Sequence, residues 1–163
     1  MIRFITTIAY VGRAPFAPGT FGSVVAIPLA YLLHRTTGFP GLLTATIAMF
    51  LVGWWATAQA TRGQDNHDPS EIVIDEVVGQ WIALMPLSAG LWHAGVDPAV
   101  FPYPGWVLAF ALFRLFDITK PWIVGRADRM ATPLGVMLDD VLAGVMAGVI
   151  VGAAGGLFHS VFS

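Results

Sequence analysis

The sequence predicts an all-α protein, a compact multi-helix integral membrane bundle with about five apolar helices, some of them short or tilted. Three observations carry that prediction. Of the 163 residues, 56% are apolar and 11% charged, where a soluble domain has about 25% charged residues. Mean hydropathy is +0.74. Of the 18 charged side chains, 14 fall in two clusters, Arg62 to Glu76 and Arg114 to Asp140, and long uncharged stretches lie outside them.

Those stretches read as helices in order. Residues 20–33 form the first, a short or tilted segment that contains Pro28. Residues 42–61 and 77–96 each reach about 30 Å as helices, and 141–163 about 35 Å, against a hydrocarbon core of about 30 Å. Residues 104–119 reach about 24 Å. Asp68-Pro69-Ser70-Glu71 combines an N-cap acid, a proline at the first helical position and an acid in the first turn. A helix is therefore expected to begin at Pro69 and to take in Ile72-Val73-Ile74. Lys120-Pro121 ends the helix from about 104, because the residue before proline is pushed out of the α region. Thr132-Pro133 opens the last helix, and Gly155-Gly156 is placed to close it. The apolar run of residues 1–33 is broken by Pro15, Pro18 and Gly19, which does not suit a signal peptide. With no repeat, low-complexity tract or linker, residues 1–163 read as a single domain.

If both charged clusters share one membrane face, the helices alternate in direction. Arg3, Arg13, Arg62, Arg114, Lys120, Arg126 and Arg129 then lie on that face and Arg35 alone on the other. An excess of cations marks the cytoplasmic side. A net charge of -2 with eight Lys plus Arg leaves no footprint for nucleic acid. The absence of cysteine excludes disulfides, thiolate metal sites and cysteine nucleophiles.

Asp75-Glu76 and Asp139-Asp140 each stand directly before a long apolar stretch. An unpaired acid at mid-bilayer costs roughly 2.5 to 3.5 kcal/mol, so these four are expected near the interface, compensated, or both. Two acidic doublets from separate helices suit a hard divalent cation better than two independent solvated faces. Magnesium takes carboxylate oxygens and leaves positions for water and substrate phosphate. Asp68, Glu71 and Asp75 share one helical stripe, although capping also explains the first two.

Arg114, Asp117 and Lys120 recur every three residues and share a helix face. Arginine grips a phosphate bidentately and lysine adds a point charge, while Asp117 either orients a cation or joins a metal shell. An intrahelical salt-bridge ladder is the plainer alternative. Ala17-Pro18-Gly19-Thr20-Phe21-Gly22-Ser23 offers amides and hydroxyls at a helix start, which cradle an anion or simply cap the helix. Of the four histidines, His67 beside Asp68 is the one suited to catalysis; His34, His93 and His159 read as packing or interfacial residues.

These blocks together resemble the phosphatidylglycerophosphatase A family. The resemblance rests on Pro18-Gly19-Thr20 with Gly22-Ser23; on His67-Asp68 with Ile72-Val73-Ile74-Asp75-Glu76-Val77-Val78-Gly79; on Phe113-Arg114 with Asp117 and Lys120-Pro121-Trp122; and on Gly135-Val136-Met137-Leu138-Asp139-Asp140 with Ala143-Gly144. The chain departs from the family pattern at Ile123 and at Ala131-Thr132-Pro133-Leu134. The resemblance implies magnesium-dependent hydrolysis of phosphatidylglycerophosphate to phosphatidylglycerol among the lipids of the bacterial cytoplasmic membrane, with the active site facing the cytoplasm. Asp75, Glu76, Asp139 and Asp140 are the expected metal ligands. Arg114 and Lys120 are expected to act on the phosphate, with Thr20 and Ser23 as further binding groups and Asp117 or Asp68 as the base. The competing reading is a small cation or proton transporter that uses the same carboxylates; a noncatalytic anionic-lipid binder would need the cations but not the acids.

Overall fold

The computed structural model describes residues 1–63 and 69–162, the side chains of His159, Val161 and Phe162 aside. It contains helices and no strand among those residues. They are α1 (Ile2–Thr6), a 3-10 turn (Val11–Arg13), α2 (Pro18–Ala60), α3 (Ile74–His93), α4 (Tyr103–Thr119), α5 (Ile123–Asp128) and α6 (Pro133–Phe162).

α2 carries two of the expected apolar segments in one element, broken at Gly38, whose φ of 68° and ψ of -166° are not helical. A positive φ of this kind is open to glycine at little cost. The first arm runs alongside α3 in the same direction: Trp81 Nε1 donates to the Ala26 carbonyl at 2.9 Å, His34 meets Ser88, and Gly38 lies against Trp92. The second arm returns, so that Gly53 lies beside Ile74 and Met137. α4 runs antiparallel to α3, with Gly105 at Leu87 and Phe113 at Gly79, and α6 runs parallel to it, from Gly144 at Gly79 to Gly152 at Pro86. α3 is thus the central helix. Its Val77, Trp81, Ala83 and Leu84 join Ala26, Leu42, Ala109, Phe113 and Ala143 in the main core.

Three expectations are corrected. α3 begins at Ile74, not Pro69. Ile72 donates its N–H to Pro69, and Val73 donates to the Thr6 carbonyl at 2.9 Å; that non-local bond holds the chain against α1 and delays the helix. The Asp68 N-cap lies outside the described residues. Gly155-Gly156 does not close α6, which runs on to Phe162; glycine in a helix costs only about 1 kcal/mol. Finally, among the described residues two helices, not about five, are long and apolar enough to cross a membrane, Pro18–Ala60 with hydropathy 1.5 and Pro133–Phe158 with hydropathy 2.2. α4 has only 17 residues, and α3 has Asp75 and Glu76 in its opening turn. Elsewhere the local signals act as expected: Lys120 takes the left-handed conformation that ends α4, and Thr132 Oγ1 accepts the Gly135 N–H at 3.1 Å as α6 opens at Pro133.

Candidate active site

Asp75 and Glu76 occupy the first turn of α3, where the unpaired amides of a helix start favour negative charge. Asp140 comes from α6. What joins them is the backbone contact of the two helices: a Cβ on Gly144 would stand 2.4 Å from the Gly79 carbonyl oxygen, and one on Gly79 would stand 2.7 Å from the Asp140 carbonyl oxygen. Only glycine permits that approach. One oxygen each from Asp75, Glu76 and Asp140 can lie within 4.8 Å of the others. Asp75 and Asp140 are buried, at 6% and 3% exposure.

The other groups border this cluster. A Cβ on Gly19 would stand 2.0 Å from Glu76 Oε1 and 3.3 Å from Arg114 Nη1, so the start of α2, the acid of α3 and the cation of α4 meet at one point. Arg114 Nη1 donates to Asp117 Oδ2 at 2.5 Å, and the Asp117 carboxyl reaches that of Asp140. Asp139 stands outside the three-acid group: its Oδ2 accepts from Lys120 Nζ, and its Oδ1 takes the Asp140 N–H at 3.0 Å. Lys120 also reaches Asp128 Oδ1 at 2.8 Å. Burial alone would lower the pKa of the Lys120 ammonium, but Asp128 and Asp139 together hold it above its ordinary value.

Thr20 lies in the first turn of α2, and its backbone N–H returns to Ala17. Ser23 is fully buried, and its hydroxyl donates to the Gly19 carbonyl at 2.9 Å, so it braces the turn on which Glu76 rests. Asp68 and His67 lie outside the described residues. Two polar groups at the site escaped the sequence reading. Asp128, on the short α5, gave no local sign that it would fold onto Lys120. Gln80, one turn beyond Glu76 and fully buried, did give one: it is the only polar side chain between Val77 and Leu87.

The donor set fits a hard metal ion. It is made of carboxylate oxygens, and Glu76 Oε2 is buried without a hydrogen-bond partner among the described residues. A buried carboxylate oxygen in that state is costly unless a cation or proton meets it.

Buried carboxylates able to hold a cation, with an arginine and a lysine alongside, are equipment suited to phosphohydrolases that grip their ester by charge. Residues 4–154 match the family described as Phosphatidylglycerophosphatase A, and the chain belongs to that family. It is 36% identical over 138 residues to the Phosphatidylglycerophosphatase A of Escherichia coli, covering 82% of this chain and 72% of that one. The enzyme of the same name from Haemophilus influenzae is 36% identical over 131 residues, 79% of this chain and 73% of its own. A Bacteroides thetaiotaomicron protein with the provisional name phosphatidylinositol-3-phosphatase is 39% identical over 139 residues, 82% of this chain and 80% of its own. No solved structure matches. The chain is an enzyme of the lipid phosphatase class.

Proposed function

We propose that the protein hydrolyses phosphatidylglycerophosphate to phosphatidylglycerol and inorganic phosphate, with magnesium, at the cytoplasmic face of a bacterial membrane. The observation that carries this reading is the meeting of Asp75, Glu76 and Asp140 beside Arg114. Those three acids would hold the ion. When bound, magnesium supplies Lewis-acid polarisation of the phosphoryl oxygens.

The chain's own groups do the rest. Arg114, fixed by Asp117, presents its remaining N–H groups to the nonbridging oxygens. Two of the three Lys120 donors are taken by Asp128 and Asp139, and the third adds charge to the phosphate. Thr20 donates its hydroxyl from the start of α2. Asp117 is the general base: it takes a proton from the attacking water as the new P–O bond forms, the bond to the glycerol oxygen breaks as that oxygen takes a proton from solvent, and Asp117 then returns its own proton to solvent. Ser23 and Asp139 act as braces, not as ligands.

The membrane placement rests on α2 and α6 and on the apolar side chains they expose, among them Leu32, Ile47, Leu51, Trp54, Val149 and Leu157. α2 and α6 anchor a multi-pass bundle that holds α3 and α4 between them. The end that holds the acids also has the excess of Arg and Lys, which supports a cytoplasmic site. Transport is disfavoured, because the carboxylates collect at one end instead of continuing along α3. Phosphate release by purified protein in mixed micelles, with magnesium and then with chelator, tests the function. Turnover that survives chelation overturns the magnesium assignment, and no turnover of this lipid overturns the substrate.

A further inference from the structure

Gln80 is fully buried, and neither Nε2 nor Oε1 has a hydrogen-bond partner among the described residues. A buried amide left in that state forgoes the hydrogen bonds water would give it, so the position calls for a ligand that both donates and accepts. Gln80 lies four residues beyond Glu76 and therefore on the same side of α3, about 5.4 Å further along its axis. That side lies toward the seam between the start of α2 and α4, where Glu76 meets Gly19 and Arg114. Arg114 Nε, at the same seam, is also buried and unpartnered among the described residues. α4 packs mainly on α3 and α6 and only lightly on α2, so a ligand enters most readily along this seam.

We infer that Gln80 forms a subsite for the hydroxyl of the alcohol that carries the phosphate. The assignment rests on the phosphatase reading above. With the terminal phosphate at Asp75, Glu76 and Asp140, a lipid entering from the bilayer places its linking alcohol one step deeper along α3. In a glycerol linker the free hydroxyl stands on the carbon next to the ester methylene. Gln80 Oε1 accepts from that hydroxyl, and Nε2 donates to a neighbouring ester oxygen. Gln80 is thus a specificity-determining residue that separates polyol phosphates from phosphates on plain alkyl chains.

The test compares two lipids in mixed micelles, phosphatidylglycerophosphate and its deoxy analogue with a propanediol linker, on wild-type protein and on Gln80→Met. Wild type is expected to favour the hydroxyl lipid in kcat/KM by about threefold to tenfold, the worth of one neutral hydrogen bond, and Gln80→Met to bring the ratio close to one. Equal use of the two lipids by wild type overturns the subsite even if the variant does not fold. A folded variant that keeps the wild-type ratio also overturns it. Wild type that hydrolyses neither lipid overturns the proposed function, and the subsite with it.

Discussion

At its first turn α3 holds Asp75 and Glu76 against Asp140, Gly19 and Arg114, whereas at its last turns it holds Ser88 against His34 and Trp92 against Gly38 and Phe39. Both ends bury polar atoms. At the far end the pairing is neutral and local to two residues: His34 Nδ1 and Ser88 Oγ lie 2.8 Å apart, with the Phe101 ring 5.6 Å from the imidazole. At the near end charges from α3, α4 and α6 converge, and among the described residues the buried groups without a partner there, Glu76 Oε2 and Arg114 Nε, belong to ionisable side chains, where the far end leaves the imidazole nitrogen His34 Nε2 in that state. A bundle that needed only stability would repeat the far-end solution at both ends. The concentration of like charge at one end is a cost that function explains.

That contrast can be broken in order of expected effect. Asp140→Asn removes the proposed ligand while keeping shape, and micellar phosphate release should fall by about 100-fold or more with helical content unchanged; an active variant would mean that Asp140 does not hold the ion. Gly144→Ala forces a Cβ into the Gly79 carbonyl, and thermal unfolding should show a loss of about 1–3 kcal/mol. Activity should fall as well, because the same contact sets the Asp75–Asp140 distance. Lys120→Met should lower kcat and cost about 1 kcal/mol, since the lysine is partly exposed. The Lys120 pKa is raised in the folded chain. Its stabilising contribution is therefore fully present below the unfolded value of about 10.4 and fades only as pH climbs past the raised one. The stability gap between wild type and Lys120→Met should accordingly stay flat from neutrality to about pH 9, by denaturant titration. Ser88→Ala, at the far end, should cost about 1 kcal/mol or less and leave phosphate release within about twofold.

The contrast also shows what was legible in the sequence. Acid doublets before apolar runs, the Arg114-Asp117 step and the Thr132-Pro133 start are local patterns that reappear in the fold, whereas Lys120 leaves the face it was expected to share with them: it ends α4 in the left-handed conformation and turns to Asp128 and Asp139. The delayed start of α3 was not legible, because Pro69 offers a sound local start and the decisive bond from Val73 reaches back to Thr6. The partition between Asp139 and Asp140 was hidden for a similar reason. Adjacent residues on a helix point about 100° apart, and only the positions of Lys120 and Gly79 decide which of the two acids faces Asp75 and which faces the lysine. Gly38, followed by Pro40, lay in plain view between two apolar stretches, and the reversal it makes fits the alternation that the charge clusters demanded.

The central position of α3 has a consequence for how such chains are recognised. Because α2, α4 and α6 pack around it, most of its length is buried against protein, so its own composition is free to be more polar than that of α2 or α6. Asp75, Glu76, Gln80 and Ser88 are tolerated there for that reason. If the bundle spans as proposed, a hydropathy scale that picks out α2 and α6 passes over the helix around which they are arranged.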